Sequence, residues 1–365
     1  VDRVRLLYDD LAPAFPKDRR VTEQSLIYHE DLETGQSIPL GARTLSKAEI
    51  IAFGRAYDPQ PMHIDEEAAK ATLVGGLCAS GFHTCAVMMR MTCDGILNRM
   101  ASLGSPGVEE VLWKKPVRPD EPYHARYRVL EKRDLASRRD VGLSRITVEL
   151  LNGKDELAAS WVSIQMTRRR SPLETLPERQ NAAPRTPLAD IWSGPAETAG
   201  SQPDGYFEDR QIGETVAYPP HTFERAAIIE FARQFDPQPF HLDDEAAKAS
   251  LFGALCASGW HTAAIFIRSI VSARMEANAA ARAKGVRLPA YGPSPGFRDL
   301  RWFKPVFVGD TVEFRSRVSR KVDLKSRPER GLIVNDVQGR NQRGEVVFAI
   351  TSQILAERHT PYKPA

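Results

Sequence analysis

Tyr57-Asp58-Pro59-Gln60-Pro61-Met62-His63-Ile64-Asp65, running on to Cys78-Ala79-Ser80-Gly81-Phe82-His83-Thr84, is a stretch this chain contains twice. The second copy reads Phe235-Asp236-Pro237-Gln238-Pro239-Phe240-His241-Leu242-Asp243 and runs on to Cys256-Ala257-Ser258-Gly259-Trp260-His261-Thr262. Twenty of the 28 aligned positions are identical without a gap, which marks an internal duplication. Outside the stretch the halves match far less well. Surface drift needs no explanation, whereas an Asp, a His and a Ser-Gly retained in both copies do.

The flanking residues place the motif on elements. Ser46-Lys47-Ala48-Glu49 is a capping box that opens an amphipathic helix through Ile50, Ile51, Phe53 and Tyr57. Asp58-Pro59-Gln60-Pro61 ends that helix, because the prolines remove amide donors. Asp65 caps a short helix over 66–72. A longer helix is expected over 81–100, where Phe82, Cys85, Met89, Cys93, Ile96 and Met100 form one apolar face. Period-two alternation then marks strands over 108–113, 125–130, 144–150 and 158–166, after a first strand at 36–44, and Asn152-Gly153 marks a hairpin. The unit recurs. A strand at 214–218 and a helix at 223–235 precede the second motif; a helix at 259–284 and strands at 297–303, 311–321, 331–338 and 346–355 follow it. Aligning Trp113-Lys114-Lys115-Pro116-Val117 with Trp302-Phe303-Lys304-Pro305-Val306 leaves the second long helix and its loop about eleven residues longer than the first.

The expected organisation is an N-terminal extension (1–27), a first domain (28–170), a linker with spread prolines that is extended rather than packed (171–204) and a second domain (205–365). Each domain is of α+β class, one long apolar helix wrapped by a curved antiparallel sheet. A lone sheet of this kind has an open edge, and two copies joined edge to edge cover it, so the halves are expected to form a pseudo-dimer within one chain.

A net charge of +3, with basic residues scattered and without interleaved aromatics, argues against a nucleic-acid partner. The longest apolar run, 85–89, is too short to span a bilayer, so no membrane partner is expected. The four cysteines, Cys78, Cys85, Cys93 and Cys256, include no C-x-x-C pair and read as buried thiols of a reducing compartment. The charged opening Val1-Asp2-Arg3-Val4-Arg5 is unlike a signal peptide, and a cytoplasmic location is expected.

Asp-Pro-Gln-Pro-x-His-x-Asp after the first helix, with Ala-Ser-Gly opening the long helix, resembles the MaoC-like dehydratases, the (R)-specific enoyl-CoA hydratases of the hot-dog fold. The family more often has Asn where Gln60 and Gln238 stand, and often His where Ser80 and Ser258 stand. The resemblance implies a double hot-dog, an acyl-CoA substrate and no cofactor or metal beyond the CoA the substrate carries. It also implies catalytic dyads Asp58 with His63 and Asp236 with His241, and oxyanion or substrate-binding groups at Gly81, Gly259, Ser80 and Ser258. It leaves room for a further homodimer.

The residues are chemically suited to that role. Hydrating an α,β-unsaturated thioester needs a base for water, an acid for Cα and donors for the enolate oxygen. An Asp and a His five residues apart on a Pro-bounded turn can converge on one water, with Tyr57, Met62 and Ile64, or Phe235, Phe240 and Leu242, excluding bulk solvent. Gly81 and Gly259 sit where helix N-termini present free amides. Asp65, Asp243, Ser80 and Ser258 also read as N-caps, and His83 and His261 as structural hydrogen-bonding residues. Lys114, Lys115 and Lys304 are candidates for CoA phosphates. A hot-dog thioesterase and a non-catalytic acyl-thioester binder are the alternative functions. The bulkier second-copy residues, Phe240 for Met62, Phe252 for Val74 and Trp260 for Phe82, predict a narrower second site.

Overall fold

The computed structural model describes residues 26–176, 187–198 and 203–363. The first half opens with strand β1 (Ser37–Thr44) and helix α1 (Lys47–Tyr57). The capping box is present: the Ser46 hydroxyl accepts from the Glu49 amide, and the Glu49 carboxylate accepts from the Ser46 amide. Asp58 is the C-cap, and Pro61 takes the first position of a single turn, Pro61–Ile64, where its missing N–H costs nothing. Asp65 caps Glu66–Lys70 through the Ala68 amide.

Helix α2 (Gly81–Gly95) is shorter than the apolar periodicity implies. A Cβ at Gly95 would lie 2.6 Å from Leu40 Cδ2, so β1 crosses there, and Ile96 turns out of the helix at φ −144° into the core. Strands β2 (Gly107–Trp113), β3 (Pro122–Asp134), β4 (Val141–Asn152) and β5 (Leu157–Arg168) follow.

The second half repeats the plan. The short strands β6 (Glu197–Thr198), β7 (Thr215–Ala217) and β8 (His221–Thr222) lead to helix α3 (Arg225–Phe235), a turn at Pro239–His241 and a short helix Asp244–Lys248. Helix α4 (Gly259–Ala283) runs for 25 residues against 15 in α2. Strands β9 (Gly296–Trp302), β10 (Thr311–Asp323), β11 (Arg330–Asn341) and β12 (Val346–Glu357) complete it.

All twelve strands belong to one sheet in the order β1-β3-β4-β5-β2-β9-β12-β11-β10-β7-β6, with β8 on β10. The halves meet at β2 and β9, paired antiparallel from Gly107↔Arg301 to Leu112↔Gly296. Gly107 and Gly296 hold equivalent places on the two sides of this seam. A Cβ at Gly107 would lie 2.1 Å from the Leu300 oxygen, and one at Gly296 1.9 Å from the Val111 oxygen. Their φ values of 154° and 142° are ones that favour glycine. Edge pairing therefore unites the halves into the expected pseudo-dimer.

The buried side chains form a core continuous across both halves. Phe53 meets Phe235 edge-on at 5.6 Å, and Phe82 stacks on Phe297 at the same distance. Each long helix also reaches the other half's motif: Arg90 of α2 donates to the Arg233 oxygen near the end of α3, and Arg268 of α4 donates to the Ala56 oxygen near the end of α1.

The segment joining the halves departs from expectation where it is described. Residues 187–198 are extended but packed: Ile191 is buried, the Trp192 indole N–H donates to Gln338 Oε1, and the ring lies under Arg315 and Arg340. Two apolar residues among the prolines suffice to dock it. Pro177, Pro184 and nearly all of the expected N-terminal extension lie outside the described residues.

Candidate active site

The site begins with the end of α1. Asp58 leaves the helix at φ −147°, ψ 73°, which turns its carboxylate inward, and it is 3% exposed. A buried carboxylate requires partners. Oδ1 accepts from Gln60 Nε2 at 2.9 Å, and Oδ2 accepts from the Ser80 hydroxyl at 2.6 Å. Ser80 is also the N-cap of α2, accepting from the Phe82 amide. One hydroxyl thus joins the start of the long helix to the carboxylate.

His63 sits on the turn after the prolines, buried, with Nδ1 2.8 Å from the Cys78 carbonyl oxygen. A carbonyl only accepts, so Nδ1 carries a proton, and the neutral tautomer compatible with this contact has its lone pair on Nε2. That Nε2 stands 3.6 Å from Asp58 Oδ2. The separation is too long for a direct hydrogen bond and leaves both atoms able to meet one water. The second half repeats these distances: Gln238 Nε2 to Asp236 Oδ1 2.9 Å, Ser258 Oγ to Oδ2 2.6 Å, His241 Nδ1 to the Cys256 oxygen 2.8 Å, and His241 Nε2 to Asp236 Oδ2 3.6 Å.

Each pair opens on its own cavity beneath the first amide of a long helix. Asp58, His63 and Gly81 line one of about 660 Å³, and Asp236, His241 and Gly259 line one of about 400 Å³. The first N–H of a helix has no intrahelical acceptor and carries the positive end of the dipole. Gly81 is required sterically: a Cβ there would lie 2.4 Å from the Trp113 ring, and one on Gly259 2.3 Å from that of Trp302. Both cavities are built across the two halves. Phe266, Ile267 and Ile270 of α4 line the first; Met89 and Thr92 of α2 line the second.

The structure sorts the candidates. The dyads and glycines converge on the cavities. Ser80 and Ser258 are placed behind the carboxylates, hydroxyls engaged, and are not among the lining residues. Of the residues expected to screen the first dyad, only Met62 lines the cavity; the Tyr57 ring packs edge-on to Phe231 and His261 across the inter-half core. Of the second set, only Phe240 does. His83 and His261 do not use Nδ1 for the expected structural hydrogen bond. They stack on Phe53 and Phe231 at 4.4 and 4.7 Å with Nδ1 unpartnered, and burial pushes both rings down to about 3, so they are neutral. Lys114 and Lys115 line the first cavity and Lys304 the second, all exposed; Lys115 and Lys304 are paired to Glu156 and Glu345.

Four participants escaped the sequence reading. Gln60 and Gln238 orient the carboxylates, and their identity in both copies was a signal. Cys93 of α2 donates its thiol to Asp236 Oδ1 at 3.4 Å, and Arg274 of α4 donates Nη2 to Gln60 Oε1 at 2.8 Å. Neither contact has a counterpart in the other copy, so the duplication could not reveal them. Cys78 and Cys256 lie 3.8 Å from the dyad histidines, but burial pushes their thiols up to about 11 and about 12. They stay protonated near neutral pH and are poor nucleophiles.

The family model described as "MaoC like domain" matches residues 31–149 and 208–338. A putative MaoC domain protein dehydratase from Chloroflexus aurantiacus is 16% identical, with 93% of this chain and 100% of that one covered and a TM-score of 0.72. A Mycobacterium tuberculosis protein, described as a conserved hypothetical protein with a double hotdog fold, is 15% identical over 92% and 99% of the two chains, with a TM-score of 0.62. An uncharacterized Bacillus subtilis protein, YdeM, is 26% identical over 126 residues, 34% of this chain and 88% of its own. Two matched segments, each holding one copy of the motif, and neighbours alike over nearly their whole length lead to one conclusion: this chain belongs to the MaoC-like dehydratase family and carries its domain twice, as a double hot-dog.

Proposed function

We propose that the chain catalyses the reversible hydration of a trans-2-enoyl-CoA to the (R)-3-hydroxyacyl-CoA, at an Asp/His dyad in each half. The observation that carries this reading is the geometry of Asp58 Oδ2 and His63 Nε2, 3.6 Å apart, facing one cavity below the Gly81 amide, and its repetition in the second half. A water held between the two acceptors points an oxygen lone pair at Cβ of a bound enoyl group. As the C–O bond forms, the dyad takes one water proton, and the thioester oxygen gains negative charge beside the helix N-terminus. The dyad then returns a proton to Cα. The sum is addition of H and OH across one double bond, and neither a cofactor nor a redox partner is consumed.

The neutral Cys78 and Cys256 thiols give no support to a covalent thioesterase. Crotonyl-CoA separates the readings: loss of the enoyl absorbance without release of free thiol supports hydration. Thiol release, or CoA binding with neither change, overturns it.

A further inference from the structure

The two cavities share their dyads but not their walls. The difference traces to the extra length of α4, because Arg274 aligns with Ile96, the residue that leaves α2 and turns into the core. Where the first long helix has ended, the second continues and carries Arg274 to Gln60, beside the first dyad. Around Arg274 the cavity lining is polar. Asp204, which accepts from Asn278 at 2.6 Å, lines the cavity, the guanidinium lies 5.5 Å from the Tyr291 ring centre, and the hydroxyls of Tyr218 and Ser316 pair at 2.9 Å. In the second cavity, among the described residues, no arginine lines the wall and the sole lysine is the exposed Lys304. Trp161, Trp260, Phe240 and Phe252 line it, beside the uncharged Ser163 and Gln165.

Arg274 uses its donors incompletely. Nη2 donates to Gln60, and Nε, buried and without a hydrogen bond, is ion-paired to Asp204 Oδ2 at 3.7 Å; among the described residues Nη1 has no hydrogen-bond partner. Orienting Gln60 needs only one of the guanidinium's five donors, which leaves Nη1 for a further acceptor. Through Gln60 the guanidinium is two hydrogen bonds from Asp58, at most about 8 Å from its carboxylate. Within that bound an acyl chain of about five carbons can react at Cα and Cβ with its far end at the guanidinium. A carboxylate is the group a guanidinium matches best.

We propose that the first site selects short acyl-CoA substrates whose acyl chain ends in a carboxylate held by Arg274, while the second, which has no arginine in its lining, takes chains without that carboxylate. This rests on the reading of the dyads as hydratase sites. The carboxylate is a spectator, and water adds across the same double bond.

The test silences the second site with Asp236→Asn and compares glutaconyl-CoA with trans-2-pentenoyl-CoA, five-carbon chains with and without a terminal carboxylate. The expected kcat/KM favours glutaconyl-CoA by at least about tenfold. Arg274→Leu lowers both rates through Gln60 but also lowers their ratio at least about tenfold, and Arg274→Lys restores part of it. Preference for pentenoyl-CoA, or an Arg274→Leu that scales both rates equally, overturns the proposal. Should neither be turned over, calorimetry with the saturated glutaryl-CoA and valeryl-CoA decides. Loss of glutaryl-CoA affinity alone in Arg274→Leu upholds the carboxylate site while the hydratase reading fails; affinities unchanged by the substitution overturn it.

Discussion

Replacing Asp58 and Asp236 by Asn changes charge and proton affinity while nearly preserving shape, so it separates chemistry from folding. Each carboxylate accepts from a glutamine at 2.9 Å and a serine hydroxyl at 2.6 Å. If the new amide oxygen stays on Gln60, its NH2 faces Ser80 Oγ, which has a lone pair left beside the bond from the Phe82 amide. The cost is one charge-assisted bond made ordinary and one hydroxyl proton left without its acceptor, about 1–3 kcal/mol per site. The opposite amide orientation would set NH2 against NH2 at Gln60, and flipping Gln60 would turn its NH2 toward Arg274, a second donor clash. The side chain therefore keeps one orientation in the first site, and each single variant should fold with a modestly lower Tm. An amide cannot take the water proton, so crotonyl-CoA hydration by the double variant should fall about a hundredfold or more. Melting curves and rates are measured on the same preparations. A folded double variant with unchanged turnover would refute the assignment. One single variant as inactive as the double on both crotonyl-CoA and glutaconyl-CoA would show that a single half performs catalysis.

Gly81→Ala should cost about 1–3 kcal/mol, because the methyl would lie 2.4 Å from the Trp113 ring, and should silence the first site alone; an unchanged Tm and unchanged rates in the Asp236→Asn background would contradict this. The smaller second cavity, about 400 against 660 Å³, should make a branch on the acyl chain cost Asp58→Asn protein about 1–3 kcal/mol more than Asp236→Asn protein, each measured against its own trans-2-pentenoyl-CoA rate, and Phe252→Val should relax that limit; equal penalties for the branch would count against it. His83 is held neutral in the fold at about 3, against 6.5 when exposed, so between these values only the unfolded state gains the proton. Stability from this residue is present above pH 6.5 and is lost as pH falls, by up to about 1.4 kcal/mol per pH unit, and urea midpoints at pH 6.5 and 4 should differ less in His83→Phe than in the unaltered chain. Halves expressed separately would expose the β2 and β9 edges and the aromatic faces between them, and should precipitate or reassociate; two stable monomers on sizing would contradict the shared core.

Much of the fold was legible because its signals are local. Ser46 and Glu49 announce a helix start through contacts three residues apart, and the prolines after Asp58 end that helix for reasons within the backbone itself. Alternation exposed every long strand, with boundaries off by a few residues. The end of α2 was misjudged because the apolar pattern continues through Ile96 and Met100. Those residues are buried as the pattern implies, but in a turn, since Leu40 of a distant strand occupies the space beside Gly95.

What the sequence determined by itself is what repetition and short-range chemistry can carry: two copies of one unit, the α+β class, an Asp and a His on a stiff turn, and a glycine opening a long helix. Tertiary structure alone decided what those residues face. Which nitrogen of His63 keeps its lone pair depends on the Cys78 carbonyl fifteen residues away. The separation of the dyad atoms, the withdrawal of Ser80 behind Asp58, and the arrival of Arg274 beside Gln60 more than two hundred positions along the chain depend on how the halves pack. The physical reason is that caps, turns and alternation are set by neighbours in sequence. A cavity between two halves is bounded by side chains that meet only once β2 has paired with β9 and the long helices have crossed into each other's domain.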